Sequence, residues 1–184
     1  GNLQPRELIV ELLETGKPVI IDEAYQEFAP EDNLDLVESY GNLLLLRTFS
    51  KAFCMAGMRV GYSIGDPEVM KYLRRVKSPY NLNKVSMIAA QIILEHVEDI
   101  LSRIDFITQE RNRIRDRFES YCFPSQANFI LFDLDASDFL SRKGIAVRTF
   151  TGRLSDKFRV TVGDREENQA FISALEEFLE KGNG

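Results

Sequence analysis

Two oppositely charged side chains, Lys51 and Asp22, follow two apolar runs of the sequence. Lys51 comes shortly after the run of leucines at 43–46, and Asp22 directly follows the run at 18–21. A lysine amine in a partly dry site can lose its proton and attack an aldehyde carbonyl to form a Schiff base. Such chemistry at Lys51 needs an aldehyde, and Asp22 supplies a charge of the opposite sign.

Three further residues fit the remaining groups of one aldehyde cofactor, pyridoxal phosphate. Its ring nitrogen takes a carboxylate partner, its ring oxygen a hydroxyl donor, and its phosphate a hydroxyl with a guanidinium group. Asp22 suits the nitrogen, Tyr25 suits the ring oxygen, and Ser50 with Arg59 suits the phosphate. Each residue alone also has an ordinary structural role, as a turn carboxylate, a packing aromatic or a strand-end charge. Their occurrence together and in this order is what indicates a cofactor site.

The elements that position these residues alternate between apolar strands and amphipathic helices. This rhythm predicts an α/β fold with a mostly parallel sheet, whose strands are buried on both faces and joined by helical crossovers. Ligands of such sheets bind beyond the carboxyl ends of the strands, which is where Asp22 and Lys51 fall. The predicted strands are 17–25, 42–50 and 60–65, and the predicted helices are 5–16, 34–41 and 66–78.

The second part of the sequence has a different texture. Apolar residues recur at helical spacing from Lys84 to Tyr121, which predicts long helices with a kink near 96–100. Shorter strand and helix patterns follow and indicate a compact α+β unit. We therefore predict two domains, 1–104 and 105–184. The later strands are predicted within 128–134, 145–150 and 158–163, and the later helices at 136–143 and 165–182.

Composition and charge exclude several classes of protein. The chain has 184 residues and a net charge of −6, which argues against nucleic-acid binding, and the charges at 110–120 alternate in sign as on a solvated helix face. No apolar stretch approaches the roughly 20 residues that cross a bilayer, and we expect a cytoplasmic protein without membrane contact. The single histidine, His96, and the separated Cys54 and Cys122 predict no metal site, no disulfide and two buried thiols.

Several segments resemble a known family of enzymes. DEAYQEF at 22–28 and TFSKAFCMAGMRVGYSIG at 48–65 resemble the two signature segments of fold-type I pyridoxal-phosphate aminotransferases, and of the histidinol-phosphate aminotransferase group in particular. The resemblance covers nearly the whole chain, because it continues through SQANFILFD at 125–133, GIAVRTF at 144–150 and FRVTVGDREEN at 158–168.

The resemblance implies a fold, a reaction and a role for each candidate residue. The fold would be the C-terminal part of the large, mostly parallel-sheet domain, followed by the small α+β domain. Lys51 would bond the cofactor and move the proton, and Asp22 would pair with the pyridine nitrogen. Tyr25 would bond the ring hydroxyl, while Ser50 and Arg59 would hold the phosphate. The reaction would interconvert histidinol phosphate and imidazole acetol phosphate, with 2-oxoglutarate and glutamate as the second pair, in histidine biosynthesis.

Two arginines of the second domain are candidates for substrate binding. Arg148 and Arg159 lie on what are predicted to be neighbouring strands. They are either exposed strand arginines or a pair whose guanidinium groups converge on an anion, since planar donors suit phosphate and carboxylate alike. The resemblance implies that Arg159 binds the anionic group of the substrate. It also implies that Arg148 adds a second contact where that group is a phosphate.

The resemblance also implies that this sequence is the C-terminal half of its enzyme. Members of the family are about twice as long, which fits ordinary two-domain sizes. We therefore expect the 184-residue chain alone to be inactive. The intact enzyme would be a homodimer acting on a small amino donor and a 2-oxo acid.

Other functions share most of these motifs. Aromatic-amino-acid aminotransferases and threonine-phosphate decarboxylases differ mainly in the substrate pocket. A further alternative, from a different class, is the non-catalytic, ligand-sensing aminotransferase-like domain of some transcription regulators.

Overall fold

The computed structural model describes residues 1–182 and divides them into two compact units. One unit is Leu3–Ile104, and the other joins Gly1–Asn2 to the residues from Asp105 onward. Each unit contains its own sheet of three strands. We refer to them as the first and the second unit and describe each by itself.

The first unit is built around a mixed sheet in the order β1-β2-β3. Strands β1 and β2 are parallel, as predicted, but β3 is antiparallel to β2. A parallel return needs a long crossover, whereas segment 49–60 contains only one short 3-10 turn. The elements are α1 (Arg6–Glu14), β1 (Val19–Asp22), α2 (Leu34–Ser39), β2 (Leu43–Thr48), β3 (Gly61–Gly65), α3 (Pro67–Val76), α4 (Lys84–Glu95) and the start of α5 (Val97–Arg117).

Local sequence explains where these helices begin and end. Helix α1 is followed by Gly16, whose left-handed φ of 70° suits the residue just after a helix. The Asp66 carboxylate accepts a hydrogen bond from the Glu68 amide at 2.8 Å and so caps α3, while Pro67 fills the first helical position. Helices α4 and α5 are interrupted at His96, which confirms the predicted kink.

The sheet of the first unit is covered on one face only among the residues described. Leu43 and Leu45 are fully buried against a cluster from α1 and α2 that includes Leu13. On the opposite face, Ile20 is 64% exposed and Leu46 is 38% exposed. The prediction of strands buried on both faces is therefore wrong for this unit, because its helices α1 and α2 contribute to a core on one side.

The second unit packs α5 and α7 around an antiparallel sheet in the order β4-β6-β5. Phe132 and Phe158 are fully buried and stack with ring centres 5.0 Å apart, and the ring of Phe171 meets both edge-on. The predicted strands and helices are all present. They are the rest of α5, β4 (Phe129–Phe132), α6 (Ser137–Arg142), β5 (Arg148–Thr149), β6 (Phe158–Thr161) and α7 (Arg165–Gly182).

The charged segment at 110–120 is not simply a solvated helix face. Glu110 and Arg111 are buried, at 4% and 5% exposure. Arg113 donates two hydrogen bonds to the Glu110 carboxylate, and Asn168 donates a third at 3.0 Å; the bonds from Arg113, more than any other contact, lower the pKa of Glu110. The Arg111 guanidinium donates to the Ala127 carbonyl at 3.1 Å. Burial is tolerated because both charges have partners.

The two cysteines also differ from expectation. Cys54 is exposed and Cys122 is part-buried, and neither forms a disulfide. The prediction of two buried thiols is therefore wrong for Cys54, which lies on a surface turn with a left-handed φ of 56°. Burial raises the pKa of the Cys122 thiol.

Within residues 1–182, no helix is both long enough and apolar enough to span a bilayer.

Candidate active site

A cavity of about 370 Å³ lies at the carboxyl ends of β1 and β2 in the first unit. Four of the five residues proposed from sequence to hold a cofactor line it, so the fold brings them together from two strands and the segment that follows. The lining residues are Asp22, Ala24, Leu46, Arg47, Thr48, Ser50, Lys51, Arg59, Val60 and Gly61.

Asp22 ends β1 with its side chain on the exposed face of the sheet. It is the register partner of Leu46, which lines the same cavity. One carboxylate oxygen accepts a hydrogen bond from the Ala24 amide at 3.0 Å, which orients the group in a tight turn. The other oxygen accepts no hydrogen bond from any residue between 1 and 182 and is open to a cationic or N–H partner.

Lys51 lies on a turn whose neighbours are anchored in the core. Phe49, Ala52 and Phe53 are each at most 8% exposed, and the rings of Phe49 and Phe53 are 4.7 Å apart. The Lys51 carbonyl accepts a hydrogen bond from the Cys54 amide at 3.1 Å. Because the flanking side chains are buried, the backbone that carries the amine is fixed.

Tyr25 lies beside the lysine and is not among the residues that line the cavity. The Lys51 ammonium nitrogen is 5.2 Å from the centre of the Tyr25 ring. That distance is within the range of a cation–π contact. The Tyr25 ring therefore lies beside the side chain of Lys51, outside the residues that line the cavity.

Ser50 and Arg59 reach the cavity from the two ends of the segment that joins β2 to β3. The Ser50 amide donates to the Thr48 hydroxyl at 3.0 Å, and the hydroxyls of Ser50 and Thr48 are 2.9 Å apart. Arg59 is exposed, and its guanidinium donates to the Ala56 carbonyl at 2.9 Å. A hydroxyl pair and a guanidinium at one rim form a donor set that suits an anion.

A buried ion pair between Arg47 and Glu23 supports the same edge of the sheet, and the sequence reasoning missed it. Arg47 lines the cavity, and its guanidinium lies 2.8 Å from the Glu23 carboxylate. Asn33 donates to the other oxygen of Glu23 at 2.8 Å, and Asp32 lies 3.4 Å from Arg47. Both partners are charged residues placed at the ends of apolar strands, which is the signal that could have identified them. The pair ties the end of β1 to the end of β2.

Arg148 and Arg159 face each other across β5 and β6, where they are direct register partners. They therefore lie on neighbouring strands, as the sequence predicts. Arg159 is part-buried, and its guanidinium is 4.5 Å from the centre of the Phe129 ring. Its buried Nε has no hydrogen-bond partner among residues 1–182. A buried donor without a hydrogen-bond partner is uncommon in folded proteins.

Comparison with known proteins gives a consistent result. The pattern of the family Aminotransferase class I and II matches residues 1–175. The histidinol-phosphate aminotransferase of Pyrococcus furiosus is 47% identical over 181 residues, which are 98% of this chain and 54% of that relative. The chain thus spans about half the length of the curated relatives it matches.

Solved structures of similar fold include two histidinol-phosphate aminotransferases. The one from Clostridium acetobutylicum has a TM-score of 0.86 at 27% identity, and the match covers 98% of this chain and 61% of that structure's chain. The one from Sinorhizobium meliloti, described in complex with pyridoxal-5'-phosphate, has a TM-score of 0.80 at 27% identity. That match covers 98% of this chain and 54% of the chain in the solved structure. The match over residues 1–175 and the identity to these relatives show that the chain belongs to the class I and II aminotransferases.

Proposed function

We propose that the complete gene product is a pyridoxal-phosphate-dependent aminotransferase of histidine biosynthesis. It would interconvert histidinol phosphate and imidazole acetol phosphate, with 2-oxoglutarate and glutamate as the second substrate pair. The observation that carries the proposal is that Asp22, Ser50, Lys51 and Arg59 line one cavity. The identity of 47% to a histidinol-phosphate aminotransferase supports the choice of substrate over the aromatic and decarboxylase alternatives.

The residues of the cavity fit the proposed cofactor in number and chemistry. A volume of about 370 Å³ falls at the lower end of the usual range for small-molecule sites. When bound, pyridoxal phosphate supplies an aldehyde and an electron-accepting ring. The cavity provides an amine in Lys51, a carboxylate with an open oxygen in Asp22, and hydroxyl and guanidinium donors in Ser50 and Arg59.

Each residue would then have one task in the transfer. Lys51 would hold the cofactor through its aldehyde and supply the amine that takes the proton from the substrate Cα. Asp22 would keep the ring nitrogen protonated and hold its positive charge, so that it acts mainly on rate. Tyr25 would donate to the ring oxygen, and Ser50 with Arg59 would fix the phosphate.

We further propose that Arg159 and Arg148 bind the anionic group of the substrate. The orphaned, buried Nε of Arg159 supports an anion at this position, since an unpaired buried donor is costly. Arg148 is its cross-strand neighbour and is exposed. Two guanidinium groups suit a phosphate, which is bulkier and more highly charged than a carboxylate.

The remaining parts of the proposal rest on the family resemblance. Residues 1–104 would be part of the cofactor-binding large domain and residues 105–184 the small domain. The complete gene product would be a homodimer in the cytoplasm, acting on small molecules.

Reductive trapping of the cofactor tests this proposal. The complete gene product is loaded with pyridoxal phosphate, reduced with borohydride, digested and mapped by mass spectrometry. The pyridoxyl adduct is expected on Lys51, and the Lys51→Ala variant should carry no adduct there. An adduct mainly on Lys71, Lys77 or Lys84 would contradict the assignment.

A further inference from the structure

Arg59 holds a backbone conformation that side-chain-bearing residues seldom adopt. Its φ of 56° and ψ of 41° lie in the left-handed region. This conformation is unfavourable for a residue other than glycine and persists where the surrounding structure imposes it. The contacts that impose it therefore decide where the guanidinium of Arg59 is placed.

The residues before and after Arg59 both have their carbonyl groups held by hydrogen bonds. The Met58 carbonyl accepts from the Ser86 hydroxyl at 2.7 Å, and the Val60 carbonyl accepts from the Phe49 amide at 3.0 Å. Phe49 directly follows β2 and precedes Ser50 and Lys51, which line the cavity. The bond from Ser86 comes from α4, 28 residues along the chain.

Ser86 is itself fixed in one orientation. It is 1% exposed, in the first turn of α4. Its amide donates to the Asn83 side-chain carbonyl at 2.9 Å, and the Asn83 amide group donates back to the Ser86 hydroxyl at 2.9 Å. Because the hydroxyl accepts from Asn83, its single proton is directed to the Met58 carbonyl.

We infer that Ser86 is a positioning residue for Arg59: its hydroxyl holds the Met58 carbonyl and thereby keeps Arg59 left-handed, with the guanidinium at the rim of the cavity. The inference rests on the proposed function, in which Arg59 binds the cofactor phosphate. Ser86 does not touch the cavity, so it acts on the phosphate through Arg59 alone. Its contribution should therefore depend on both the phosphate and the arginine.

Dissociation constants for pyridoxal phosphate and for pyridoxal, which lacks the phosphate, test the inference in the complete gene product. Ser86→Ala should weaken pyridoxal phosphate at least tenfold and change pyridoxal less than twofold. In a double-mutant cycle, Ser86→Ala added to Arg59→Ala should cause no further loss. Ser102→Ala removes an exposed hydroxyl from α5 and is the matched control, with no expected change.

Equal losses for the two ligands, or additive losses in the cycle, would overturn the inference, because both indicate a general structural role. If Ser86→Ala does not fold, Ser86→Cys keeps the volume with a weaker donor and should show a smaller loss of the same selectivity. Unchanged affinity in Ser86→Cys would then count against it.

A second measurement separates this inference from the proposed function. Inorganic phosphate is titrated into the protein without cofactor, and the side-chain Nε–Hε signal of Arg59 is followed by NMR. A wild-type protein that fails to bind pyridoxal phosphate contradicts the proposed function. A phosphate affinity that falls in Ser86→Ala supports the inference even then, whereas no phosphate binding at Arg59, or no change in Ser86→Ala, overturns it.

Discussion

The two units differ in where they place strain and apolar surface. Among residues 1–182, the side-chain-bearing residues with positive φ are Cys54, Arg59 and Tyr80, and all three belong to the first unit. In the second unit, positive φ occurs at Gly144 and Gly152, where it is easily tolerated.

The two units also differ in how completely their sheets are buried. Phe132, Phe158 and Ile130 of the second unit are completely buried, whereas the sheet of the first unit leaves Ile20 and Leu46 exposed. The exposed face of the first unit is the one that carries Asp22. The comparison teaches that the first unit places a strained residue, Arg59, and the exposed face of its sheet at the candidate site, whereas the positive φ values of the second unit fall on glycines.

The largest expected effect is loss of activity at Lys51. Lys51→Ala should lower kcat in the complete gene product by about 10⁴-fold or more, equivalent to about 5.4 kcal/mol of transition-state stabilisation. The free energy of unfolding should change by at most about 1 kcal/mol, since Lys51 makes no ion pair in the described residues and its contact with the Tyr25 ring is weak. Steady-state kinetics and urea denaturation measure the two quantities.

Lys71→Ala is the control for this prediction, because it removes an exposed lysine of α3 whose ion pair, among residues 1–182, is with the exposed Glu68. It should leave both quantities unchanged. A Lys51→Ala variant with activity within tenfold of wild type would mean that the first unit does not hold the chemistry.

The converse substitution in the second unit should act on stability. Phe132→Ala removes a completely buried ring that contacts three other phenylalanines, and should lower the free energy of unfolding by about 3–5 kcal/mol. Urea denaturation tests this. Phe123→Ala, at a site that is 40% exposed, should cost less than about 1 kcal/mol. Equal losses at the two sites would mean that the buried cluster of phenylalanine rings does not stabilise the second unit more than an exposed ring does.

Arg159 is expected to be the exception within the second unit. Arg159→Ala should raise the KM of both the amino donor and the 2-oxo acid by more than about tenfold, a loss of more than about 1.4 kcal/mol. Arg148→Ala should affect the phosphorylated substrate more than the dicarboxylate, because only the phosphate needs the second guanidinium. Kinetics with each substrate varied in turn measure both. Equal losses for the two substrates in Arg148→Ala would favour a general aminotransferase.

The smallest expected effect concerns the strain itself. Cys54→Gly should raise the free energy of unfolding by about 0.5–1 kcal/mol, because glycine accepts the φ of 56° without a steric penalty. The loss of the contact between the Arg103 guanidinium and the Cys54 sulfur reduces the gain. Cys122→Gly, at an ordinary φ of −140°, should destabilise instead. Thermal or urea unfolding shows the sign, and a destabilised Cys54→Gly would argue that the turn is not strained.

The sequence was sufficient to predict the site residues that lie at or just after the ends of apolar strands. Asp22 and Lys51 each come after an apolar run, and parallel neighbours place such ends at one edge. The direction of β3 was not predicted, because the apolar pattern of a strand carries no information about its orientation.

Contacts made over long separations in the chain could not be predicted either. The bond from Ser86 to Met58 joins residues 28 apart, and locally Ser86 is only a polar residue in the first turn of a helix. Glu110 and Arg111 have the charge pattern of a solvated face, and their burial depends on Asn168 and Ala127 from other elements. Only the assembled fold reveals such partners.

The hydroxyl groups of Thr48 and Ser50 lie next to Lys51, and their contacts limit the directions in which the two hydroxyl protons can point. Thr48 has one hydroxyl proton and two acceptors within reach, the Ser50 oxygen at 2.9 Å and the Val60 carbonyl at 3.2 Å. In the shorter of these two contacts the Thr48 proton points at Ser50. The Ser50 proton is then released to point into the cavity, and its bond to an anion there would be strengthened by the donor behind it. In this arrangement Thr48, which also lines the cavity, makes Ser50 the stronger donor.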